Sequence, residues 1–450
     1  MLRQEENEII THCGPGTPMG DLMRQYWIPA VGSDELPGPD CPPLRVRLLN
    51  ENLIAFRATS GKVGLLDDYC PHRGASLFFG RNEEDGLRCV YHGWKFDVTG
   101  QCTDMMSEPE ESAYVRKVKT TAYPTEERGG IVWAYMGPRE VPPPLPDLEA
   151  NMTAGPGTPV RRTMSYYNWL QGMENNTDTS HQAILHFGAL TEDVVNLPEF
   201  RERSDVRYFI GSRSPKFHVV DTEAGVSYGA SRPAGDDSFY WKTHHWLFPF
   251  YTMSPVPKLG TTAQFVATVP IDDTHCMSWG MTRVVGQMDG QVRGQSLTRT
   301  PLPNTSDWLG RFRDPLSALI DTDFGIDREL QRAKPQTLQG FTGMLDVPTQ
   351  DGAMQWSQGR ADRNGIVDRS REHLGTTDSA IIRVRRRLLQ AAKELREQGT
   401  PPPGVDNPGA YRFRSGWIVL PGNVNFWEGA RELREAFRKE EPVKIAPVTS

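Results

Sequence analysis

The sequence predicts an α+β fold in two domains, a small N-terminal β-domain followed by a larger domain of mixed strands and helices. Three observations predict it. Between about Trp27 and Pro138 the apolar residues fall in short runs, Leu44–Leu49, Leu53–Arg57 and Val63–Leu66, divided by Gly, Asn and Asp; this is the pattern of brief strands joined by turns. A stiff connector, Pro142-Pro143-Pro144-Leu145-Pro146, then interrupts the chain. Beyond it, strand-like runs mix with stretches of helical periodicity. A chain of 450 residues is long enough for two such cores. The expected divisions are residues 1–26, a helical N-terminal segment that packs on the larger domain; 27–140, the β-domain; and 141–450, the larger domain with a C-terminal tail.

The elements follow in order. Thr17 and Pro18 suit the N-cap and first turn of a short helix ending near Tyr26. In the second domain a helix is expected around Trp169–His181, with a bend or an end near Ala183–Leu185. Val206–Ile210, Phe239–Thr243 and Phe265–Val269 read as strands, and Asp307–Arg332 and Ser379–Arg396 as helices. The last has an apolar stripe of Ile381, Val384, Leu388, Ala391 and Leu395. Pro401-Pro402-Pro403-Gly404 introduces a tail containing Trp417–Pro421 and a charged helix near Ala430–Lys439, expected to serve packing or oligomer contact.

Composition narrows the function. A net charge of −7, spread along the chain, argues against a nucleic-acid partner. The basic run Arg383–Arg387 reads as a solvated helix face or a subunit contact. No run approaches the roughly 18 apolar residues of a membrane span, and the acidic N-terminus lacks the apolar core of a signal peptide. Cys13, Cys41, Cys102 and Cys276 have no disulfide-framework spacing, which points to free thiols and a cytoplasmic location.

The chemistry resides in two motifs. Cys70-Pro-His72 and Cys89-Val-Tyr-His92 alternate thiolate and imidazole. Structural zinc sites usually pair cysteines in one knuckle and histidines in another, and a Cys70–Cys89 disulfide would leave both histidines unexplained. Two thiolates for one iron and two imidazoles for the other is the Rieske [2Fe–2S] pattern. Neutral imidazoles in place of two thiolates ease reduction of such a cluster. Gly74 and Gly93 follow the ligands where tight loops need positive φ. In the second motif, Asp178 and His181 are three apart and share a helical face, while His186 lies five beyond His181. Two histidines and a carboxylate with open positions describe the facial triad of non-haem Fe(II) oxygenases.

With both motifs in hand, the chain resembles the oxygenase α-subunit of Rieske non-haem iron ring-hydroxylating oxygenases, within them the phthalate 4,5-dioxygenase branch. The family's E-N-x-x-D-x-x-H-x-x-x-x-H signature matches Glu174, Asn175, Asp178, His181 and His186, and further similar stretches are Gly14–Trp27, Arg128–Pro138, Gln350–Met354 and Asp368–Asp378. The resemblance implies an N-terminal Rieske β-domain and a C-terminal catalytic domain with a curved antiparallel sheet flanked by helices. It implies Asp351 as third iron ligand, with Asp346 and Asp362 as alternatives. Asp178 would bridge a cluster histidine of a neighbouring subunit to His181, and Asn175 would sit near the iron without binding it. It further implies a mononuclear Fe(II), NAD(P)H electrons through a separate flavin- or ferredoxin-type reductase, and a homotrimer or hexamer.

For substrate, the resemblance suggests O2 and an aromatic acid, oxidised by ring hydroxylation or dihydroxylation. O-demethylation of a methoxylated, lignin-derived aromatic with release of formaldehyde is the alternative. A plain Rieske electron carrier would not need the second motif or the large remainder. An aromatic acid calls for a cationic anchor, and Arg201, Arg203, Arg207, Arg213 and Lys242 are the candidates, with His244 and His245 beside them.

Overall fold

The computed structural model describes residues 2–109, 111–155, 158–193, 205–255, 257–285, 308, 315–359 and 365–435. Among them the first domain consists of three small antiparallel sheets. β1 (Trp27–Gly32), β10 (Ile131–Tyr135) and β9 (Thr125–Arg128) form one, in the order β1-β10-β9. β2 (Leu44–Leu48), β3 (Glu51–Arg57) and β4 (Val63–Asp67) form a meander. β5 (Arg81–Glu83), β6 (Gly86–Arg88), β7 (Trp94–Phe96) and β8 (Cys102–Met105) form the third. Ile54, Phe56, Leu66, Leu77, Leu87, Trp94 and Phe96 close a small core under this last sheet, and Cys70 and Cys89 belong to it.

The second domain is built on one antiparallel sheet in the order β11-β17-β16-β15-β14-β13-β12: Arg161–Ser165, Cys276–Val284, Thr262–Pro270, Tyr251–Met253, Ser238–Leu247, Gly225–Pro233 and Lys216–Thr222. β18 (Gly416–Pro421) pairs with the first half of β14, while β15 pairs with its end. The tail thus adds a strand to this sheet. The helix Trp169–Thr177 lies against this sheet. Gly172 permits the approach, since a Cβ there would come within 3.2 Å of Thr268 and 2.9 Å of Tyr167. Asn168 caps that helix through Leu170 N–H and donates to the Thr11 and Asp273 carbonyls, which ties the helix start to the N-terminal segment.

The helices Gln4–Thr11 and Pro18–Arg24 pack on Ser379–Gln398, and Thr17 caps the second of them. The large core runs through both domains, from Leu22, Ile28 and Trp133 to Trp169, Trp246, Phe248 and Leu388. Aromatic side chains bury most area per residue and dominate such cores.

Several expectations are corrected. Val206–Gly211 is a helix, not a strand: Val206 and Phe209, three apart, share the buried side. Of Asp307–Arg332, the described part is a 3₁₀ segment, Pro315–Gly325, and a separate helix, Arg328–Ala333. Asp323 and Phe324, near the end of the first segment, take positive φ, which breaks any continuous helix. Near the C-terminus the chain forms two short helices, Phe426–Gly429 and Arg431–Arg434; the second lies within the expected charged helix, of which 436–439 lie outside the described residues. The basic run is a solvated face only in part: Arg386 is exposed, while the other arginines are engaged within the chain. Arg383 pairs with Asp221, Arg385 with Glu174 and Glu372, and Arg387 donates to the Thr222 and Gly225 carbonyls.

Candidate metal centres

Two loops of matching design carry the first motif. Cys70 N–H donates to Ala75 O and Gly74 N–H returns to Cys70 O; Cys89 N–H donates to Trp94 O and Gly93 N–H returns to Cys89 O. Gly74 and Gly93 close the two turns at φ of +74° and +79°, where a side chain would be strained. The result brings His72 and His92 to a ring separation of 4.4 Å, beside the buried Cys70 and Cys89. Burial, reinforced by the neighbouring Cys89, pushes the Cys70 thiol up to about 11. Trp94 stacks on His72 at 4.4 Å, and His72 Nδ1 is buried without a hydrogen-bond partner. Two buried thiols, two imidazoles held close together and an orphaned ring nitrogen on paired loops are a donor set that fits a Rieske cluster.

The second centre has a different local cause than expected. The helix Trp169–Thr177 ends before Asp178, which is its extended C-cap. The chain then makes a π-helical turn over Gln182–His186. A π turn widens the spacing beyond a normal helix, so residues five apart can face one point. His181 and His186 do so, and with Asp351 their ligand atoms all lie within 4.8 Å of one another. Asp351 Oδ1 is 3.6 Å from His181 Nε2 and 3.4 Å from His186 Nε2, and it is buried with no hydrogen bond.

The far nitrogens are held. His181 Nδ1 is 3.3 Å from Asp178 Oδ2, whose other oxygen accepts from Ser180 N–H. His186 Nδ1 is 2.8 Å from Gln350 Oε1, and the Gln350 amide donates to Leu338 O, which fixes the orientation of the amide. Both rings therefore present Nε2 as a lone pair toward Asp351, the arrangement second partners impose on metal-ligating histidines. Burial opposes charge on His181, yet the Asp178 hydrogen bond and the Asp351 charge raise its pKa; His186 has no carboxylate on Nδ1, and burial pushes it down. This donor set, with an unsatisfied buried carboxylate oxygen, fits a non-haem iron.

Asp346 serves otherwise: it caps the helix Val347–Gln358 through Thr349, which leaves Asp351 one turn in. Asp362 lies outside the described residues. Asn175 does not enter the ligand cluster; with Asp351, Tyr166, Tyr167, Gln355 and Trp356 it lines a cavity of about 200 Å³ over β11, β16 and β17. Glu174, next to it, is buried between Arg369 and Arg385 at 2.9 and 2.5 Å. Burial opposes its charge, but the two guanidiniums win and hold it at about 2. Of the cationic candidates, Arg201 and Arg203 lie outside the described residues. Arg207 is exposed, and Arg213 donates to the Ala183, Phe187 and Leu190 carbonyls around the π turn. Lys242 is buried on β14 and donates to Gln182 Oε1 at 2.7 Å. His245 is bonded on the other face of β14, to Ser227 and Arg414 O.

Comparison with known proteins shows the family. Residues 26–122 match the Rieske [2Fe-2S] domain and residues 134–413 the family described as LigXa C-terminal domain like. The chain belongs to the Rieske non-haem iron oxygenases, as an oxygenase subunit of their phthalate 4,5-dioxygenase-like branch. It is 40% identical over 446 residues to the 3-chlorobenzoate-3,4-dioxygenase oxygenase subunit of Comamonas testosteroni, covering 96% of this chain and 99% of the relative. It is 35% identical to the phthalate 4,5-dioxygenase oxygenase subunit of Pseudomonas putida (87% and 86% covered). It is 31% identical to the 5,5'-dehydrodivanillate O-demethylase oxygenase subunit of Sphingobium sp. (91% and 84%). The fold is that of the terminal oxygenase of carbazole 1,9a-dioxygenase from Novosphingobium sp. KA1, at a TM-score of 0.52, 20% identity, and coverage of 84% of this chain and 95% of that one. The chain is thus an enzyme of the Rieske oxygenase class, and no helix among its described residues is long and apolar enough to cross a membrane.

Proposed function

We propose that this chain is the oxygenase component of a multicomponent dioxygenase that hydroxylates the ring of an aromatic acid with O2. The observation that carries the reading is the convergence of His181 Nε2, His186 Nε2 and Asp351 Oδ1, with both Nδ1 atoms already engaged, in a chain that also gathers Cys70, His72, Cys89 and His92. Cys70, His72, Cys89 and His92 would hold the cluster, which would supply single electrons, and His181, His186 and Asp351 would hold the iron, which would supply the oxidising chemistry.

The remaining work belongs to the side chains. Asp178 and Gln350 keep one proton on each Nδ1, so that the Nε2 lone pairs stay directed at one point. Asp351 contributes the single charge that distinguishes a facial triad from a neutral site, and three protein donors leave room beside them for substrate. Asn175 stands at the cavity wall next to the ligands. Asp178, only partly covered, is the carboxylate positioned to meet a histidine of a neighbouring chain.

Three points complete the proposal. Electrons come from NAD(P)H through a separate reductase or ferredoxin. The assembly is a homotrimer or a dimer of trimers, in which the cluster loops of one chain meet the iron site of the next. The surface around those loops supports this: Tyr69, Val90, Tyr91 and Met106 are each more than half exposed, an apolar patch suited to a partner. The location is cytoplasmic. The relative at 40% identity acts on a chlorobenzoate, which favours ring dioxygenation over O-demethylation. The test is turnover of the reconstituted enzyme with benzoates and methoxybenzoates, following NADH, O2 and formaldehyde together. NADH and O2 use on a benzoate without formaldehyde is expected; formaldehyde from methoxybenzoates alone would select the demethylase reading.

A further inference from the structure

One face of the β13–β14 pair holds an unusual concentration of buried polar groups. The register sets Arg232 opposite Tyr240, Ala230 opposite Lys242 and Tyr228 opposite His244, so alternation turns Arg232, Lys242 and His244 to the same side. This is the side of the metal centre. Tyr228 donates to Thr177 O at the end of the helix Trp169–Thr177, and Lys242 reaches Gln182, the residue after His181. The Arg232 guanidinium and the Lys242 ammonium both lie over the Phe209 ring, 4.3 and 4.6 Å from its centroid.

Arg232 is 0% exposed. Its Nε donates to Ser212 O at 2.9 Å, but both terminal nitrogens lack any hydrogen-bond partner, and among the described residues no carboxylate is paired with it. Burial lowers the guanidinium to about 10, with Tyr240 and Asp178 acting against this. His244 lies on the same face, stacked on Tyr228 at 4.7 Å, with both ring nitrogens buried and unpartnered. Burial and Lys242 push it well down, so it is a neutral imidazole with one N–H to offer. Native proteins rarely leave buried donors unmatched, and a buried guanidinium least of all. The ring of Phe209 compensates only in part. Three donors on the side of the His181–His186–Asp351 group, two of them without an internal acceptor, describe a receptor for an external anion.

We infer that Arg232 is the carboxylate anchor of the substrate, its two free nitrogens receiving both carboxylate oxygens, with Lys242 adding charge and His244 a neutral donor. This rests on the aromatic-acid reading above and assigns that reading to particular residues. A planar guanidinium suits a carboxylate in a two-bond fork, which a neutral amide of the same shape cannot satisfy. The anchor fixes the ring from the β13–β14 side and so governs which ring carbons face the triad.

The experiment is equilibrium binding of benzoate and of benzamide, its neutral isostere, to the iron-loaded full-length protein, measured by calorimetry without reductase or turnover. Wild type is expected to prefer benzoate by about 10–100-fold, the range of hydrogen bonds to charged groups. Arg232→Gln is expected to bind benzamide as before and to lose that preference, and Arg232→Lys to recover part of it. If wild type shows no preference for the acid, the aromatic-acid reading falls and this inference with it. If wild type prefers the acid and Arg232→Gln keeps that preference, the reading stands and the anchor is overturned. A second readout needs no ligand. Arg232→Met removes an unpaired buried charge, so its melting temperature should not fall; a lower one with the acid preference intact would mark Arg232 as a structural residue and overturn the inference.

Discussion

Gln350 Oε1 accepts a hydrogen bond from His186 Nδ1 at 2.8 Å, and this single contact decides which ring nitrogen faces Asp351. The neighbouring residue in sequence therefore supplies the charge on one side of His186 while Gln350 supplies the orientation on the other. Gln350→Leu should keep the fold but weaken Fe(II) binding at the mononuclear site by about 10–100-fold. Metal titration of the protein with its cluster intact checks this; an unchanged affinity would remove Gln350 from the site.

Asp351 and Asp346 separate by role although they lie five residues apart at the start of one helix. Asp351→Ala should lower iron from about three to about two per chain, the two being those of the cluster, whose visible colour persists. Asp346→Ala should retain all the iron and cost about 1 kcal/mol of stability, the usual loss of an N-cap. Iron analysis and thermal melting of the pair distinguish them, and iron loss in the Asp346 variant would reverse the assignment.

Glu174 is a stability element set directly under the iron motif. Its pKa in the folded chain, about 2, lies below its ordinary value of 4.5. The stabilisation is thus complete above about pH 4.5 and is lost as the pH falls toward 2. Glu174→Gln leaves Arg369 buried with no carboxylate and should cost about 3–5 kcal/mol near neutrality. Arg385 keeps Glu372, which places the loss toward the lower end. Melting curves from pH 7 down to 3 should show the gap between variant and wild type narrowing with acid; a gap that stays constant would mean that Glu174 is not the titrating group.

Asp178 holds His181 at 3.3 Å without entering the ligand cluster. Asp178→Asn should leave the iron content at both sites unchanged and reduce turnover by about 10–100-fold. Iron analysis beside steady-state rates tests this, and loss of the mononuclear iron would make Asp178 a ligand instead.

Much of this site was legible in the sequence because metal ligands are constrained by type and spacing. Cys70-x-His72 and Cys89-x-x-His92 could be read directly, and their loops follow from two glycines. The route by which His181 and His186 converge was less legible. A helical face through Asp178 was expected, whereas the helix stops at Thr177 and a π turn makes up the spacing. No residue type announces a π turn; tertiary packing selects it. Val206–Ile210 failed for another reason, since five mostly apolar residues fit either period and burial of Val206 with Phe209 decided for helix. Helix Gln4–Thr11 begins before the expected Thr17 cap, and its Asn7, Ile10 and Thr11 are buried. Arg232 gave no signal at all: an arginine between Ser231 and Pro233 reads as a turn residue until a sheet buries it.

The central claim is ring dioxygenation of an aromatic acid, and oxygen-isotope labelling tests it most directly. The reconstituted enzyme, given a benzoate that it turns over and ¹⁸O2, should form a ring-hydroxylated acid that carries both labelled atoms. A single labelled oxygen in the product, or label incorporated only through removal of a methoxy carbon from a methoxybenzoate, would contradict it.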